Sequence, residues 1–309
     1  MTRPRVKAYL ALLVTAVIWG IASPVIKYTL DFISPVPFLF WRFLLTSLIF
    51  LPIFLLYQRK KKIKLTLEKI CQLSLLGFLG TTLSLGLLFF GYQYTTAIDG
   101  ALIFSLAPLV VVVGGALFLK EKITRMEKIG SATAFLGSII VVIQPVLEGN
   151  VFAVKNIYGN LLIAGSAMVF AAYCLLVRRF EFQEKADPLV LTALGFFAGL
   201  VTITPVFAWE QLTTSLPLAI NPSALPGIIY MTLFSSVIAY FTYHLGYSLI
   251  EASEATIFDY LKPIFAAPIA ILWLGEKITP LFLLGAGIIG LGVFLTEYRP
   301  QRLAIKKKK

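Results

Sequence analysis

Ten stretches of roughly 20 apolar residues, each ended by charges or turn formers, leave this chain almost no length for anything but membrane helices. We read the spans at 8–30, 35–57, 70–92, 95–119, 128–147, 157–178, 188–209, 224–250, 252–274 and 280–297. A chain that is 59% hydrophobic and 14% charged, with a mean hydropathy of +0.89, has too little polar surface to cover a water-soluble core. The expected fold is therefore an all-α integral membrane protein with no separate soluble domain. Two divisions are short enough that one long helix competes with two, at Tyr94 to Asp99 and at Glu251 to Glu254. Thr95, Thr96, Asp99 and Gly100 supply a break at the first. The run from Ala8 to Leu30 is too long for a signal peptide and has no small-residue cleavage pattern, so it reads as a retained span.

A formal charge of +12 would suggest nucleic acid in a polar chain. Here the basic residues lie between apolar runs rather than on an amphipathic face, so no nucleic-acid partner is expected. With the N-terminus inside, 22 of the 27 Lys and Arg residues fall in cytoplasmic segments. Only Lys155 and Lys277 fall in outer loops, and Lys27, Arg42 and Lys262 lie within spans. The positive-inside rule then places both termini in the cytoplasm, which requires an even number of spans; the expected location is a plasma membrane, the inner one in a Gram-negative cell. Cys71 and Cys174 form neither a disulfide framework nor a zinc spacing, and one histidine cannot supply a metal cluster. No metal, cofactor or catalytic constellation is expected, and nothing in the sequence specifies an oligomeric state.

Shifting the chain by 155 residues lays its second half over its first. Pro108 falls on Pro263, Glu121-Lys122-Ile123-Thr124 on Glu276-Lys277-Ile278-Thr279, Gly130 on Gly285, Leu136-Gly137 on Leu291-Gly292 and Gly91-Tyr92 on Gly246-Tyr247. Five spans per half is an odd number, so the Glu-Lys-Ile-Thr turn is cytoplasmic in one copy and external in the other. The expected organisation is two inverted five-helix repeats, 8–147 and 157–297, followed by a basic cytoplasmic tail, 298–309. In both halves a proline-bearing span ends in Leu-x-Glu-Lys and is followed by a glycine-rich span. Trp19-Gly20 with Lys27 marks the first span, and Trp41-Arg42-Phe43 the second. With these motifs each half resembles an EamA domain of the drug/metabolite transporter superfamily. The resemblance implies ten helices around a cavity that opens alternately to each side, in a family whose members export amino acids and other small metabolites. The second half offers no counterpart of Arg42, since the matching region has Gly195.

Gly285-Ala286-Gly287-Ile288-Ile289-Gly290 fits a dinucleotide-binding pattern, but that motif needs a preceding strand, and inside a span small residues serve close helix packing. There is no Walker A sequence, which excludes ATP-driven transport within the chain. Pro108 and Pro263 read as a shared bend beside a cavity, with ordinary helix geometry as the alternative. Glu121 and Glu276 read as turn residues. Tyr240, Tyr243, His244 and Tyr247 share one face of the eighth span and are expected to turn inward; His244 is either a proton site or a hydrogen-bonding packer. Trp19 and Ser23 on the first span, with Phe170, Tyr173 and Cys174 at the corresponding depth of the sixth, either form an aromatic cage or fill the bundle. Lys27 and Arg42 are placed near external helix ends, where they anchor by snorkelling or brace an outer gate.

Asp259 and Lys262, one turn apart and deep in the ninth span, are the sharpest candidates, because charges at that depth normally face a cavity. Their repeat equivalents are Phe104 and Ala107, so the fold itself does not demand the pair. Two readings stay open: a self-neutralising ion pair, or a solute site in which Lys262 takes a carboxylate and Asp259 an amine or proton, with Tyr260 nearby. The expected function is a secondary transporter exporting a small organic solute such as an amino acid. The partners are that solute and the lipid bilayer. The alternative, a membrane-embedded enzyme acting on lipid or isoprenoid substrates, needs a cluster of ionisable groups that is not seen in the sequence. A channel is disfavoured by the inverted repeat. The orientation is testable by single-cysteine labelling in cells after replacing Cys71 and Cys174. An impermeant reagent is expected to reach position 277 and not position 125, and the reverse pattern would overturn the topology.

Overall fold

The computed structural model describes residues 3–61, 66–118, 124–149, 153–184, 187–214, 220–250 and 255–297, and all regular structure among them is helical. In chain order the helices are α1 (Arg3–Thr29), α2 (Pro35–Lys61), α3 (Leu67–Gly77), α4 (Ser84–Tyr94), α5 (Ala97–Phe104), α6 (Ala107–Phe118) and α7 (Arg125–Leu147). The second half continues with α8 (Ala153–Glu184), α9 (Pro188–Thr214), α10 (Leu225–Tyr230), α11 (Ala239–Leu249), α12 (Lys262–Leu274) and α13 (Pro280–Glu297). A π-helical turn at 78–83 joins α3 to α4, and another at 231–238 joins α10 to α11. Eight of the resulting helical stretches are long and apolar enough to cross a membrane, and Pro280–Thr296 is a shorter apolar helix. Large apolar side chains stand on the perimeter, with Leu212 84% and Leu272 87% exposed, as lipid-facing surface requires.

Local chemistry explains the boundaries. Thr124 caps α7 by accepting from the Glu127 N–H while the Glu127 carboxylate accepts from the Thr124 N–H at 2.6 Å, so this helix starts at Arg125, earlier than the apolar run indicates. Thr95 is extended and Thr96 caps α5, which makes the break between Tyr94 and Asp99 real. Gly275, at φ +67°, closes α12 in the left-handed region that a side chain disfavours. The division at Glu251 to Glu254 and the first Glu-Lys-Ile turn at 121–123 lie outside the described residues.

Two expected spans are not continuous α-helices. The 95–119 stretch divides into α5 and α6 at Ser105-Leu106, and the 252–274 stretch runs as a 3-10 segment at 256–261 before α12. Pro108 and Pro263 are accordingly first-turn residues of α6 and α12, not mid-helix kinks. At that position the missing proline N–H belongs to the group a helix leaves unpaired anyway. α6 and α12 begin 155 residues apart, and the π turns overlap under the same shift.

α1 packs against α11, α12 and α5, α2 against α9, α4 and α6 against α8, and α7 against α13. Small residues permit the last contact. A Cβ on Gly137 would lie 2.8 Å from the Ile289 nitrogen, and one on Gly292 would lie 2.4 Å from the Ala134 nitrogen, whereas nothing stands within 4 Å of a Cβ at Gly287. The glycine-rich stretch at 285–292 is thus a packing surface. Gly137→Leu or Gly292→Leu is expected to cost about 1–3 kcal/mol or more by overpacking. The loss is measured as a drop in thermal midpoint of the purified protein, with Gly287→Leu as a near-neutral control.

Candidate functional site

Side chains from both halves enclose a cavity with about 60 Å³ of room for the centres of water-sized molecules. Counting its mouth and the open space outside it, about 570 Å³ is free of protein atoms. α1 contributes Trp19, Ala22, Ser23 and Ile26, and α2 contributes Arg42. α4 and α5 add Leu85, Leu88, Tyr92, Ala101 and Phe104. From the second half come Phe170, Met231, Ser235, Tyr240 and Lys262. Among the described residues the lining therefore holds two cations and no carboxylate.

Lys262 opens α12, where the positive end of the helix dipole disfavours a cation. Asp259, in the turn before it, offsets this with a carboxylate oxygen 2.7 Å from Nζ, and both side chains are about nine-tenths buried. The other Asp259 oxygen accepts from the Tyr247 hydroxyl at 3.4 Å. The Lys262 ammonium also sits 4.4 Å from the Trp19 ring centroid and 5.5 Å from that of Phe104, so aromatic faces replace some of its lost hydration. Gly20 makes this possible by letting α1 approach α12: a Cβ there would lie 2.8 Å from the Lys262 carbonyl oxygen.

Arg42 is 1% exposed. Its Nε donates to Ser236 Oγ at 2.8 Å and one terminal nitrogen donates to Ser235 Oγ at 3.3 Å, while Nη1 is buried without a hydrogen-bond partner among the described residues. The expectation that it snorkels to the external interface is therefore corrected: Arg42 lies seven residues beyond Pro35, about 10 Å along the helix, too deep to reach the end of α2. The π turn at 231–238 presents its serines, and Ser236 Oγ in turn donates to the Met231 carbonyl five residues back. Such turns recur at functional sites because they open helical backbone. The Ser235 carbonyl accepts from the Trp19 indole at 3.2 Å, and Tyr240 reaches across to the Gly80 carbonyl of the other π turn at 3.4 Å.

An aromatic layer backs this wall. Trp19 meets Tyr240 and Tyr243, each with ring centroids 5.1 Å apart, and Phe170 packs on Tyr173 and on Tyr243. His244 is 2% exposed with Nε2 3.2 Å from the Tyr173 hydroxyl, and the Tyr243 hydroxyl is 3.2 Å from Cys174 Sγ. The eighth-span face bearing Tyr240, Tyr243 and His244 is thus turned inward. Of the sequence candidates, Trp19, Ser23, Phe104, Tyr240 and Lys262 line the cavity, whereas Tyr173, Tyr243, His244, Asp259 and Tyr260 are not among its lining residues. Arg42, Ser235 and Tyr92 were not legible as cavity residues, although a serine pair in an apolar run and an arginine two turns into a span are the signals that point to them.

Toward one end of the bundle, Lys27 Nζ donates to the Tyr92 carbonyl in the last turn of α4, at 2.9 Å. Glu276 accepts from the Ala97 and Ile98 N–H groups at the start of α5, at 2.6 and 3.0 Å. A cation thus meets a helix C-terminus and an anion a helix N-terminus on either side of one turn, both favourable to the dipoles. Burial pushes the Glu276 carboxyl above its ordinary range, opposed by those two N–H donors and by Lys27.

Apolar helices around a charged, aromatic-lined cavity define a multi-pass membrane protein. The chain belongs to the EamA-like transporter family, whose model matches residues 6–143 and again 157–298. It is 30% identical over 291 residues to the uncharacterized transporter YyaM of Bacillus subtilis strain 168, covering 92% of each chain. An uncharacterized transporter of Archaeoglobus fulgidus is 26% identical over 289 residues, 94% of this chain and 98% of that one. A probable terminal-alkyne amino-acid exporter of Streptantibioticus cattleyicolor is 25% identical over 303 residues, 95% and 94% of the two chains. A protein of known crystal structure shares the fold, with a TM-score of 0.67 at 16% identity over 97% of this chain and 99% of the other.

The ion pair makes a stability prediction. Asp259→Asn leaves a buried ammonium unpaired and is expected to cost about 3–5 kcal/mol, most of which Asp259→Asn with Lys262→Met restores. Thermal midpoints of the single and double variants measure this coupling, and additive losses would contradict it.

Proposed function

We propose that the chain is a secondary transporter exporting small organic solutes, amino acids or related metabolites, by alternating access. On this reading 8–147 and 157–297 are inverted five-helix repeats that rock about the cavity, exposing it to each side in turn. The stretch at 252–274 crosses as the ninth of ten spans, and both termini, with the basic tail 298–309, lie in the cytoplasm of the plasma membrane.

The observation that carries the proposal is the cavity itself, walled by both halves and lined by two intramembrane cations with aromatic side chains between them. Further support comes from helix breaks that recur at a 155-residue spacing, beside the cavity, where irregular backbone in a membrane protein is tolerated. The family and the relative named as an amino-acid exporter support the solute class.

Trp19, Ser23, Phe104, Tyr240 and Lys262 meet the solute. Asp259 holds Lys262 in place, with Tyr260 beside it in the turn, and Tyr173, Tyr243 and His244 brace the aromatic wall. Pro108 and Pro263 start the half-helices that pivot at the breaks, and Lys27 fastens the outer end. The energy comes from solute or ion gradients, and no cofactor takes part.

The test is counterflow into proteoliposomes of the purified protein. Saturable counterflow of one solute class is expected, and none across a broad panel of amino acids and related metabolites would contradict the proposal. At matched amounts of folded protein, Lys262→Ala is expected to lower transport by about tenfold or more, the worth of a charged hydrogen bond. Wild-type affinity and rate in Lys262→Ala with Asp259→Asn would show that the two charges serve only each other.

A further inference from the structure

We infer that Arg42 is the carboxylate-binding group of the cavity, and that the site is built for a small monocarboxylate with an apolar body, whose α-amino group is not recognised. This rests on the reading of the cavity as the solute site and narrows its ligand.

The charge balance comes first. Lys262 is neutralised by Asp259 at 2.7 Å, and the second oxygen of Asp259 is engaged by Tyr247. Arg42 has no carboxylate in ion-pair contact among the described residues, only neutral serine hydroxyls and the edge of an aromatic cluster, with its guanidinium carbon 5.7 Å from the Phe89 centroid. A buried, uncompensated guanidinium is costly to fold, and an arriving anion removes that cost.

Hydrogen bonding gives the same answer. Arg42 Nη1 is buried and unpartnered on a side chain that lines the cavity. Two further donors are available at the same wall. Ser23 Oγ accepts from the Tyr92 hydroxyl at 2.8 Å and Ser235 Oγ accepts from Arg42, so each serine keeps its own proton for a third group. A guanidinium with two hydroxyl donors matches the lone pairs of a carboxylate. The rest of the lining is apolar or aromatic, and among the described residues it contains no carboxylate to accept an ammonium. An α-amino group would instead share the cavity with the unmatched Arg42 guanidinium.

Three six- or five-carbon probes separate the contributions: leucine, 4-methylpentanoate, which lacks the amine, and 3-methylbutylamine, which lacks the carboxylate. Binding to the purified protein in nanodiscs is read by calorimetry and by the rise in thermal midpoint. 4-Methylpentanoate is expected to bind at least as tightly as leucine, and 3-methylbutylamine about tenfold more weakly or worse. Arg42→Gln is expected to lose carboxylate binding by about tenfold or more while its ligand-free thermal midpoint stays unchanged or rises, since an unpaired buried charge has been removed. A purely structural arginine predicts the opposite, a lowered midpoint and no selective loss. Arg42→Lys, which keeps the charge without the planar fork, is expected to fall between.

Equal binding of amine and carboxylate, wild-type carboxylate affinity in Arg42→Gln, or no binding of either carboxylate overturns the assignment. So does tighter binding of dodecanoate, which would make the ligand a membrane fatty acid. Transport itself can fail separately: carboxylate binding that depends on Arg42 without counterflow keeps this site and removes the transporter reading. Counterflow indifferent to Arg42→Gln does the reverse.

Discussion

Hydrocarbon offers no hydrogen bonds, so every polar group that this chain takes into the membrane must find its partner within the protein. That constraint makes continuous helices the default along most of the chain. It also confines irregular backbone to places sheltered by neighbouring helices, and here these are the two π turns, the α5–α6 break and the 3-10 entry to α12. Three of the four put residues on the cavity wall: Met231 and Ser235 from one π turn, Phe104 at the end of α5 and Lys262 at the start of α12. The polar groups released by these irregularities are answered by side chains crossing between elements, as when the Trp19 indole donates to the Ser235 carbonyl and Tyr240 to the Gly80 carbonyl.

The same constraint governs charge. The Lys262 and Asp259 charges lie within one turn and cancel, with the ammonium covered by Trp19 and Phe104. Arg42 is handled differently, by neutral serine hydroxyls that satisfy some of its donors and leave its charge unmatched. Among the described residues this leaves one paired and one unpaired cation on the cavity wall, which distinguishes it from an ordinary packed core. Close packing elsewhere holds the geometry, with α7 and α13 joined along glycine stripes and α1 seated on α12 at Gly20.

Much of this was legible in the sequence because membrane helices announce themselves by length and hydropathy, and because Thr95-Thr96 carries its own capping chemistry. The inward face of Tyr240, Tyr243 and His244 followed from helical spacing, and the Asp259–Lys262 contact from a one-turn separation. What hydropathy does not encode is where a helix yields. The π turns, Phe78–Leu83 and Met231–Ile238, keep the mean apolar character of a span, and the Thr81-Thr82 and Ser235-Ser236 pairs within them mark polar positions without showing that the backbone departs from the α-helix. Arg42 was misplaced for a related reason: its charge suggests an interface, whereas its depth is set by where α2 begins, at Pro35. The separation of cavity-lining from backing aromatics depends on helix crossing, so Tyr240 lines the wall and Tyr243, one turn on, does not.

The central claim is that one cavity between the halves is reached from both sides of the membrane, though not at once. Ala22 lines that cavity with a small side chain, so Ala22→Cys in a protein lacking Cys71 and Cys174 reports on access with little disturbance. Reconstituted into sealed vesicles, this cysteine is exposed to an impermeant thiol reagent from one side at a time. Modification from either side, slowed by a transported solute present on both, is the predicted result. Modification from a single side only, unaffected by solute, would contradict the account.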